Sequence, residues 1–271
     1  MFSWFKKYNS ILRASIITAL EYKANSIVGL FAILSGLLIE YLIWSMIYAS
    51  ESTTYTIDGW TFNRLIAYIF LSMIIGQLKS SWVTAHEMIM QIRQGFMNQY
   101  LVKPLSFFSY HLMSFIGANI LYYIPYTILI IIAPILFKDL IFINFIQIPF
   151  FILAVIMSIY LSYSIYFFMV CFAFWFGEVR ALLAAYNISM FVFAGQIIPL
   201  DFFPEYYNKI INYTPIPYLI KFPVDIAMAL EVNLNQWINF IFIGILWCII
   251  MRLLSGLIYS IGIRRYEAYG S

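Results

Sequence analysis

Charged residues are scarce in this sequence. Aspartate, glutamate, lysine and arginine make up 10% of its 271 residues, whereas hydrophobic residues make up 64%. A soluble domain is roughly 25% charged and about 45–50% apolar. So few charges cannot cover a water-facing surface, and we therefore expect lipid to cover most of this one. The net charge of +3, with no basic run longer than two residues, also excludes nucleic acid as an expected partner.

Residues and motifs for catalysis or metal binding are equally scarce. Cys171 and Cys248 lie within apolar runs, which is typical of small core residues and not of a disulfide or a metal pair. His86 and His111 are 25 residues apart, and we expect them to be solvated or interfacial. No glycine is followed by lysine, so a phosphate-binding loop is absent. We therefore expect no catalytic residue, metal or cofactor in this chain, and any nucleotide would bind to another one.

Long apolar segments are abundant. A helix needs about 20 apolar residues to cross the roughly 30 Å hydrocarbon core of a bilayer. Six segments qualify, approximately Asn25–Ala49, Leu65–Val83, Ser109–Phe137, Ile146–Phe176, Ala181–Ile198 and Trp237–Ile261. The sequence therefore predicts an all-α integral membrane protein with six transmembrane helices. Within the third segment, Pro125 and Pro134 are expected to kink the helix.

An amphipathic helix is predicted before the first span, over residues 1–23. Phe5, Tyr8, Leu12, Ile16 and Ala19 share one face, whereas the opposite face carries charged and polar residues, with Ile17 as an exception. A basic amphipathic helix of this kind lies in the membrane surface, so membrane lipids are expected contacts.

The distribution of basic residues predicts the orientation, because cytoplasmic loops are enriched in lysine and arginine. Nine basic residues lie on the side of the two termini and four on the other, which places both termini in the cytoplasm. Lys79 and Arg252 lie within spans, and we expect their side chains to extend toward the cytoplasmic side. The nine are Lys6, Lys7, Arg13, Lys23, Arg93, Lys103, Arg180, Arg264 and Arg265, and the four are Arg64, Lys138, Lys209 and Lys221.

Two connections are too long to be simple turns. In the cytoplasmic one, residues 84–108, we predict a short helix over Glu87–Tyr100 that is weakest at Gly95 and ends at Lys103-Pro104. This helix is either a docking element for a soluble partner or a solvated interfacial helix. The external connection, residues 199–236, holds five of the nine prolines and many aromatic residues. We interpret it as a re-entrant helical hairpin, because irregular backbone at membrane depth must pack on protein or line a cavity.

Glu40 is the isolated acid within a predicted span. An ionisable group at that depth normally faces a partner or a wet cavity. Its role is either proton transfer or substrate contact, or else an inter-helix hydrogen bond or a position near the external interface.

Four stretches, in this order and spacing, resemble the membrane subunit of type-2 ABC exporters, the ABC-2 type transporter family. The resemblance covers essentially the whole chain, as a single permease domain over residues 1–271. The stretches are IRQGFMNQYLVKPLSFFSYHL (Ile92–Leu112), FAFWFGE (Phe172–Glu178), FAGQIIPLDFFPEYYNKIINYTPIPYLIKFPVDIA (Phe193–Ala227) and the tail IRRYEAYGS.

The resemblance implies half of a transporter in the bacterial inner membrane. Two such subunits, identical or paralogous and more commonly different, would pair and dock on a dimer of a separate ATPase subunit that holds ATP and Mg²⁺. Residues implied to couple the chain to the ATPase are Glu87, Arg93, Glu178 and Arg180. Residues implied to form an external gate are Gly195, Pro199, Phe203 and Pro204.

Two other classes of function compete with this interpretation. A membrane-embedded acyl or glycosyl transferase would need a convergent polar cluster at one membrane face. A proton-coupled carrier or channel would rely on Glu40. The transported substrate is left open among lipids, lipid-linked glycans, peptides and hydrophobic drugs.

Overall fold

The chain is helical throughout the residues that a computed structural model describes, which are 2–21, 23–49, 56, 59–102, 105–138, 140–141, 145–229 and 233–266. The Lys103-Pro104 helix stop and the tail after Tyr266 lie outside them. Three 3₁₀ turns, Leu200–Phe202, Ile216–Leu219 and Ile263–Arg265, accompany the α-helices. These are α1 (Phe2–Glu21), α2 (Lys23–Ala49), α3 (Phe62–Leu78), α4 (Trp82–Arg93), α5 (Asn98–Val102), α6 (Phe107–Ala118), α7 (Ile120–Leu136), α8 (Gln147–Val170), α9 (Ala173–Phe176), α10 (Arg180–Phe193), α11 (Glu205–Ile211), α12 (Lys221–Met228) and α13 (Leu234–Gly262).

Helix α1 is the predicted amphipathic helix. Tyr8 is buried and Ile17 is exposed, in agreement with the predicted faces. The helix packs along α6, where Gly117 allows a close approach. A Cβ atom at Gly117 would lie 2.8 Å from the Leu12 carbonyl oxygen and 2.7 Å from the Ser15 Cβ. Part of the apolar face of α1 is therefore covered by protein, whereas the outward-facing Ile17 and Leu20 remain exposed.

Four helical stretches among the described residues are long and apolar enough to cross a membrane, and a bent pair makes a fifth. The four are Ile27–Ala49, Phe62–Arg93, Gln147–Phe176 and Leu234–Arg265. This confirms a multi-pass helical membrane protein. The predicted fifth span, Ala181–Ile198, corresponds to the 14-residue helix α10, which ends at Phe193 because the chain turns at Gly195 with φ +75°.

The second predicted span and the helix that follows it need correction. The helix begins at Phe62, is interrupted at Lys79–Ser81, and resumes as α4 up to Arg93. The predicted helix Glu87–Tyr100 is thus not one helix, because Gly95 adopts φ +81° and separates α4 from α5. The Lys79 side chain, predicted to extend toward the cytoplasmic side, is largely covered by protein at the interruption, with 7% relative exposure. Arg252, the other cation of a span, packs over the Phe108 ring at 4.1 Å.

The third predicted span is bent by 57° at Asn119, between α6 and α7. Helix α6 ends at Ala118, and the Asn119 side-chain amide donates to the Phe115 carbonyl oxygen at 2.8 Å. Pro125 and Pro134 lie inside α7 without ending it. The asparagine terminates the first helix locally, so the main change of direction falls there.

The core is centred on α3 and α8, whose side chains are buried along most of their length. Helix α8 packs against α13 and α12, whereas α3 packs against α2, α7 and α12. Helices α2 and α13 bury only a small share of their apolar windows, 11% and 17%. They therefore present wide apolar surfaces to the outside, as expected where lipid or a second subunit covers a protein.

The 199–236 connection folds into short helices that pack on the core. Residues 230–232 of the predicted hairpin lie outside the described part of the chain. Leu219, Ile220 and Val224 are fully buried, and Ser158 of α8 donates to the Leu219 carbonyl oxygen at 2.5 Å. This broken backbone is held by protein contacts, whereas its re-entry into the membrane stays a prediction.

Candidate functional site

An ion cluster joins the end of α4 to the start of α10 at the end of the bundle that carries Arg93, Arg180, Arg264 and Arg265, here called the basic end. The Arg93 guanidinium donates to Glu178 Oε2 at 2.5 Å. Arg180 donates through Nε to Oε1 at 2.8 Å and through Nη2 to Oε2 at 2.7 Å. The three side chains remain 39–50% exposed. Three of the four predicted coupling residues thus form one polar surface patch.

Local backbone geometry places Glu178 between the two arginines. The chain leaves α9 through Gly177, which adopts φ +66°, and α10 begins at Arg180. The Arg180 backbone N–H donates to Glu178 Oε1 at 3.0 Å, which pairs a carboxylate with the start of a helix. The bidentate Arg180 side chain is the main cause that lowers the pKa of Glu178 to about 2. Glu178 is therefore anionic throughout the physiological range.

A cleft of about 770 Å³ opens beside this cluster. Its walls combine basic and aromatic side chains from α4, α9 and the C-terminal 3₁₀ turn. They include Arg93, Phe174, Trp175, Phe176, Arg264, Arg265 and Tyr266. Basic and aromatic residues are the types enriched at protein–protein contacts, so the cleft suits acidic or aromatic side chains of a partner.

Hydrogen bonds attach the turn after α4 to the spans. The Met97 backbone N–H donates to the Tyr266 hydroxyl oxygen at 3.2 Å. The Tyr100 hydroxyl donates to Gln91 Oε1 at 2.9 Å, and His111 Nε2 lies 3.1 Å from the same oxygen. His111 is therefore buried in a hydrogen-bond network and is not solvated or interfacial as predicted, because it lies on the face of α6 that packs against Tyr100 and α4. His86 instead packs against Trp82, with ring centroids 4.3 Å apart.

Glu87 is not part of the ion cluster. Its carboxylate accepts a hydrogen bond from the Gln91 side-chain amide at 3.3 Å, one turn further along α4. Glu87 thus lies apart from Arg93, and Glu178 is the acidic residue that pairs with the arginines at this end.

The predicted gate begins at a turn that is bonded to α3. Gly195 adopts φ +75°, and its carbonyl oxygen accepts a hydrogen bond from the Tyr68 hydroxyl at 2.7 Å. The Ser72 hydroxyl donates to the Gln196 carbonyl oxygen at 2.6 Å. A Cβ atom at Gly195 would lie 2.8 Å from the Tyr68 hydroxyl oxygen, so the turn requires glycine both for its φ and for space.

The other predicted gate residues continue this turn. Pro199 is buried and precedes the 3₁₀ turn Leu200–Phe202, and Pro204 precedes α11. The Phe203 ring stacks on Tyr207 with centroids 4.7 Å apart. The four residues thus belong to one continuous segment that is anchored to α3 at its start.

Sequence reasoning missed a second ion cluster, at the end of the bundle opposite the basic end. Lys221 lies 2.8 Å from Asp201 and 3.4 Å from Asp225, and its side chain is 20% exposed. The cluster borders a cavity of about 460 Å³ whose walls include Trp60, Arg64, Trp237 and Phe240. Only the Lys221–Asp225 spacing of four residues was a local signal for it.

Glu40 lies on α2, is partly buried, and precedes Trp44 by one helical turn. The Trp44 ring meets Phe202 of the gate segment edge-on at 6.2 Å. The position of Glu40 is thus close to the gate along α2, whereas its role in proton or substrate transfer remains a prediction.

A family model described as "ABC-2 family transporter protein" matches residues 33–270, which is most of the chain. A comparison with curated proteins finds no match.

Proposed function

Because the chain belongs to the ABC-2 family of transporter proteins, we propose that it is the permease subunit of an ATP-binding cassette exporter. In this proposal residues 1–271 act as one permease domain that forms half of the translocation pathway. A separate ATPase subunit dimer binds ATP and Mg²⁺ and supplies the energy. The chain itself carries the pathway and the surface on which the ATPase docks.

The Arg93–Glu178–Arg180 cluster is the observation that carries this proposal. It combines side chains from the end of α4 and the start of α10 at the basic end and lies beside a cleft lined by further arginines and aromatic rings. A surface ion pair contributes little to folding, so an exposed charged patch beside an aromatic cleft suits recognition better than stability. We place the ATPase contact on this patch and on the turn around Gly95.

Movement of this surface would reach the spans through rigid contacts. The turn is bonded to Tyr266, and Tyr100 and His111 share the side chain of Gln91 in α4. Closure of the ATPase dimer would therefore displace α4 and α6 together. Helix α4 continues α3, which holds the gate turn through Tyr68 and Ser72. A displacement of α3 would loosen the Gly195 turn and open the segment up to Pro204 for release.

A second permease subunit, identical or paralogous, would complete the pathway. The apolar outer surfaces of α2 and α13 are wide enough to be shared between lipid and such a partner. Because two different permeases commonly accompany one ATPase in the branch that this sequence resembles, we propose a heterodimer.

We further propose six spans, with both termini on the cytoplasmic side of a bacterial inner membrane. The predicted segment Ala181–Ile198 would be the fifth span, in which α10 crosses only part of the bilayer and the residues of the Gly195 turn cross the rest. Cysteine labelling tests this, since Cys171 and Cys248 are both buried. Tyr213→Cys should react with a membrane-impermeant thiol reagent in intact cells, and Phe96→Cys only after permeabilisation. The reverse pattern would contradict the proposed orientation.

Purification of the tagged chain from its native membrane tests the function directly. An ATP-binding cassette subunit and a second permease should co-purify, and the complex should hydrolyse ATP. Gln91→Leu in α4 should weaken coupling, because it removes the acceptor shared by Tyr100 and His111, whereas the exposed Asn9→Ala of α1 serves as a control. Purification of the chain without any ATPase would overturn the proposal.

A further inference from the structure

Lys79 lies at the interruption between α3 and α4 and is 7% exposed. In the part of the chain that the structure describes, no carboxylate lies within ion-pair distance of its ammonium group and no hydrogen bond from it is formed. A charged group in a largely buried side chain is unfavourable unless hydrogen-bond acceptors, water or an anion lie beside it. The Lys79 ammonium group is not fully enclosed by protein, so water or an anion can lie beside it.

The position is far from either end of the helical stretch. Fourteen residues separate Lys79 from Arg93, and seventeen separate it from Phe62. At about 1.5 Å per residue, Lys79 lies roughly 20 Å from the ion cluster along the helix. Lys79 lies within the second predicted span, Leu65–Val83, near its cytoplasmic end, and ionisable residues within spans usually mark a pathway.

A cavity of about 200 Å³ lies beside the ammonium, between α3, α10 and the gate turn. Polar side chains in its wall are Gln77, Asn187 and Gln196, and aromatic ones include Trp82 and Phe191. The Tyr166 hydroxyl donates to the Asn187 Oδ1, which leaves the Asn187 amide N–H groups available as donors. Lys79 and the three amide side chains thus offer hydrogen-bond donors, whereas the rings offer an apolar surface.

Two further features favour an anion in this cavity. Helix α4 begins at its edge, and the N-cap residue Ser81 makes no side-chain capping bond, so the positive end of the helix dipole faces this region. Gly76 makes room for Gln196, since a Cβ atom there would lie 2.7 Å from the Gln196 amide nitrogen. The Gln196 side chain of the gate turn can reach the cavity wall because residue 76 is glycine.

We propose that this cavity binds the carboxylate or phosphate group of an amphipathic molecule, with its apolar portion against Trp82 and Phe191. The inference rests on the proposed transport function and names its substrate class. Lys79 would neutralise the anionic group within the membrane, next to the turn that closes the external side. A free inorganic anion could supply the same negative charge, but the aromatic side chains of the cavity wall favour a molecule that also has an apolar portion.

Quenching of Trp82 fluorescence tests the binding step. The permease–ATPase complex in phosphatidylcholine nanodiscs is titrated with a twelve-carbon alkyl phosphate carrying a terminal bromine, and the signal of a Trp82→Phe variant is subtracted. We expect saturable quenching by the phosphate ester and none by the corresponding bromo-alcohol. Inorganic phosphate should not displace the ester. Equal quenching by the alcohol, or displacement by inorganic phosphate at similar concentration, would overturn the proposal.

Variants separate charge from folding. Lys79→Gln should raise the Kd of the ester about tenfold or more, because one charge-assisted contact is lost, whereas Lys79→Arg should stay within about threefold. Arg252→Gln is the matched control, since this other cation of a span packs on Phe108 and should leave the Kd unchanged. An unchanged Kd in a folded Lys79→Gln variant would overturn the assignment.

Failure of this inference is distinguishable from failure of the proposed function. Quenching measures binding without ATP, whereas ATP hydrolysis is measured separately on the same complex. A chain that hydrolyses ATP with its partner but does not bind the ester would contradict the anion site alone. A cross-link between Lys79 and an acidic residue of the second permease would also contradict it, because the ammonium would then have a protein partner.

Discussion

Reversing the charge of Arg93 separates a docking role from a folding role. In Arg93→Glu a carboxylate replaces the guanidinium that lies 2.5 Å from Glu178. The lost ion pair is 40% and 39% exposed, so it contributes about 0.2–1 kcal/mol. Repulsion between the two carboxylates adds about 1 kcal/mol at 4 Å in water. The free energy of unfolding should therefore fall by less than about 2 kcal/mol, which is a shift of a few degrees in Tm.

The effect on the ATPase contact should be larger. Like charges across an interface cost several kcal/mol, so the docking free energy should weaken by about 2 kcal/mol, or roughly thirtyfold in Kd. The assay is ATP hydrolysis by the reconstituted complex as a function of ATPase concentration, with Tm measured in parallel. Arg13→Glu is the matched control, because this exposed arginine lies on α1 and outside the cluster.

Two results would refute the reasoning. Unchanged hydrolysis in Arg93→Glu would exclude Arg93 from the contact. A loss of Tm by more than about ten degrees would instead show that the cluster serves folding. Combining Arg93→Glu with Glu178→Arg restores one ion pair of opposite polarity, so a double-mutant cycle isolates the coupling between the two positions.

Three further predictions concern the turns, the amphipathic helix and pH. Gly195→Ala should destabilise the protein by about 1–3 kcal/mol, and by more than Gly177→Ala does. Both glycines adopt positive φ, but only a Cβ atom at residue 195 would clash with the Tyr68 hydroxyl. Equal losses of Tm in the two variants would show that this clash has no effect. Gly117→Leu should separate α1 from α6 and speed tryptic cleavage in α1, and unchanged cleavage would show that this close approach is dispensable. Hydrogen bonds from Arg180 lower the pKa of Glu178 to about 2. The contribution of ionised Glu178 to the free energy of unfolding is therefore complete above the unfolded pKa of 4.5, and it is lost as the pH falls through 2. Because Glu178 stays ionised between pH 5 and 8, its titration should give docking no pH dependence in this range, whereas added salt should weaken docking because exposed charges are screened. A pH dependence of docking near pH 6 that Glu178→Gln removes would contradict this.

Much of the fold was predictable because membrane spans are set by local composition. Hydrophobic length is additive along the chain, so Ile27–Ala49 and Leu234–Arg265 agree with the first and last predicted spans. The amphipathic pattern of α1 and the weak point at Gly95 were also visible, because periodicity and glycine conformation are properties of neighbouring residues.

The interruptions of helices were harder to predict. Asn119 bends the third span and Lys79–Ser81 interrupts the second, although neither position contains proline or glycine. Packing decides such breaks, because a largely buried lysine such as Lys79 is tolerated only where the fold leaves space beside it for water, an anion or hydrogen-bond acceptors.

The sequence by itself determined that this is a helical membrane protein of the ABC-2 type, and it identified Arg93, Glu178 and Arg180 as candidate residues. Only the tertiary structure decided that these three meet, that Glu87 does not join them, and that Tyr68 holds the gate turn. Arg93 and Glu178 are 85 residues apart, and Tyr68 and Gly195 are 127 apart. Contacts over such separations depend on the rotation and register of packed helices. These are set jointly by many side chains, so no single local pattern in the sequence encodes them.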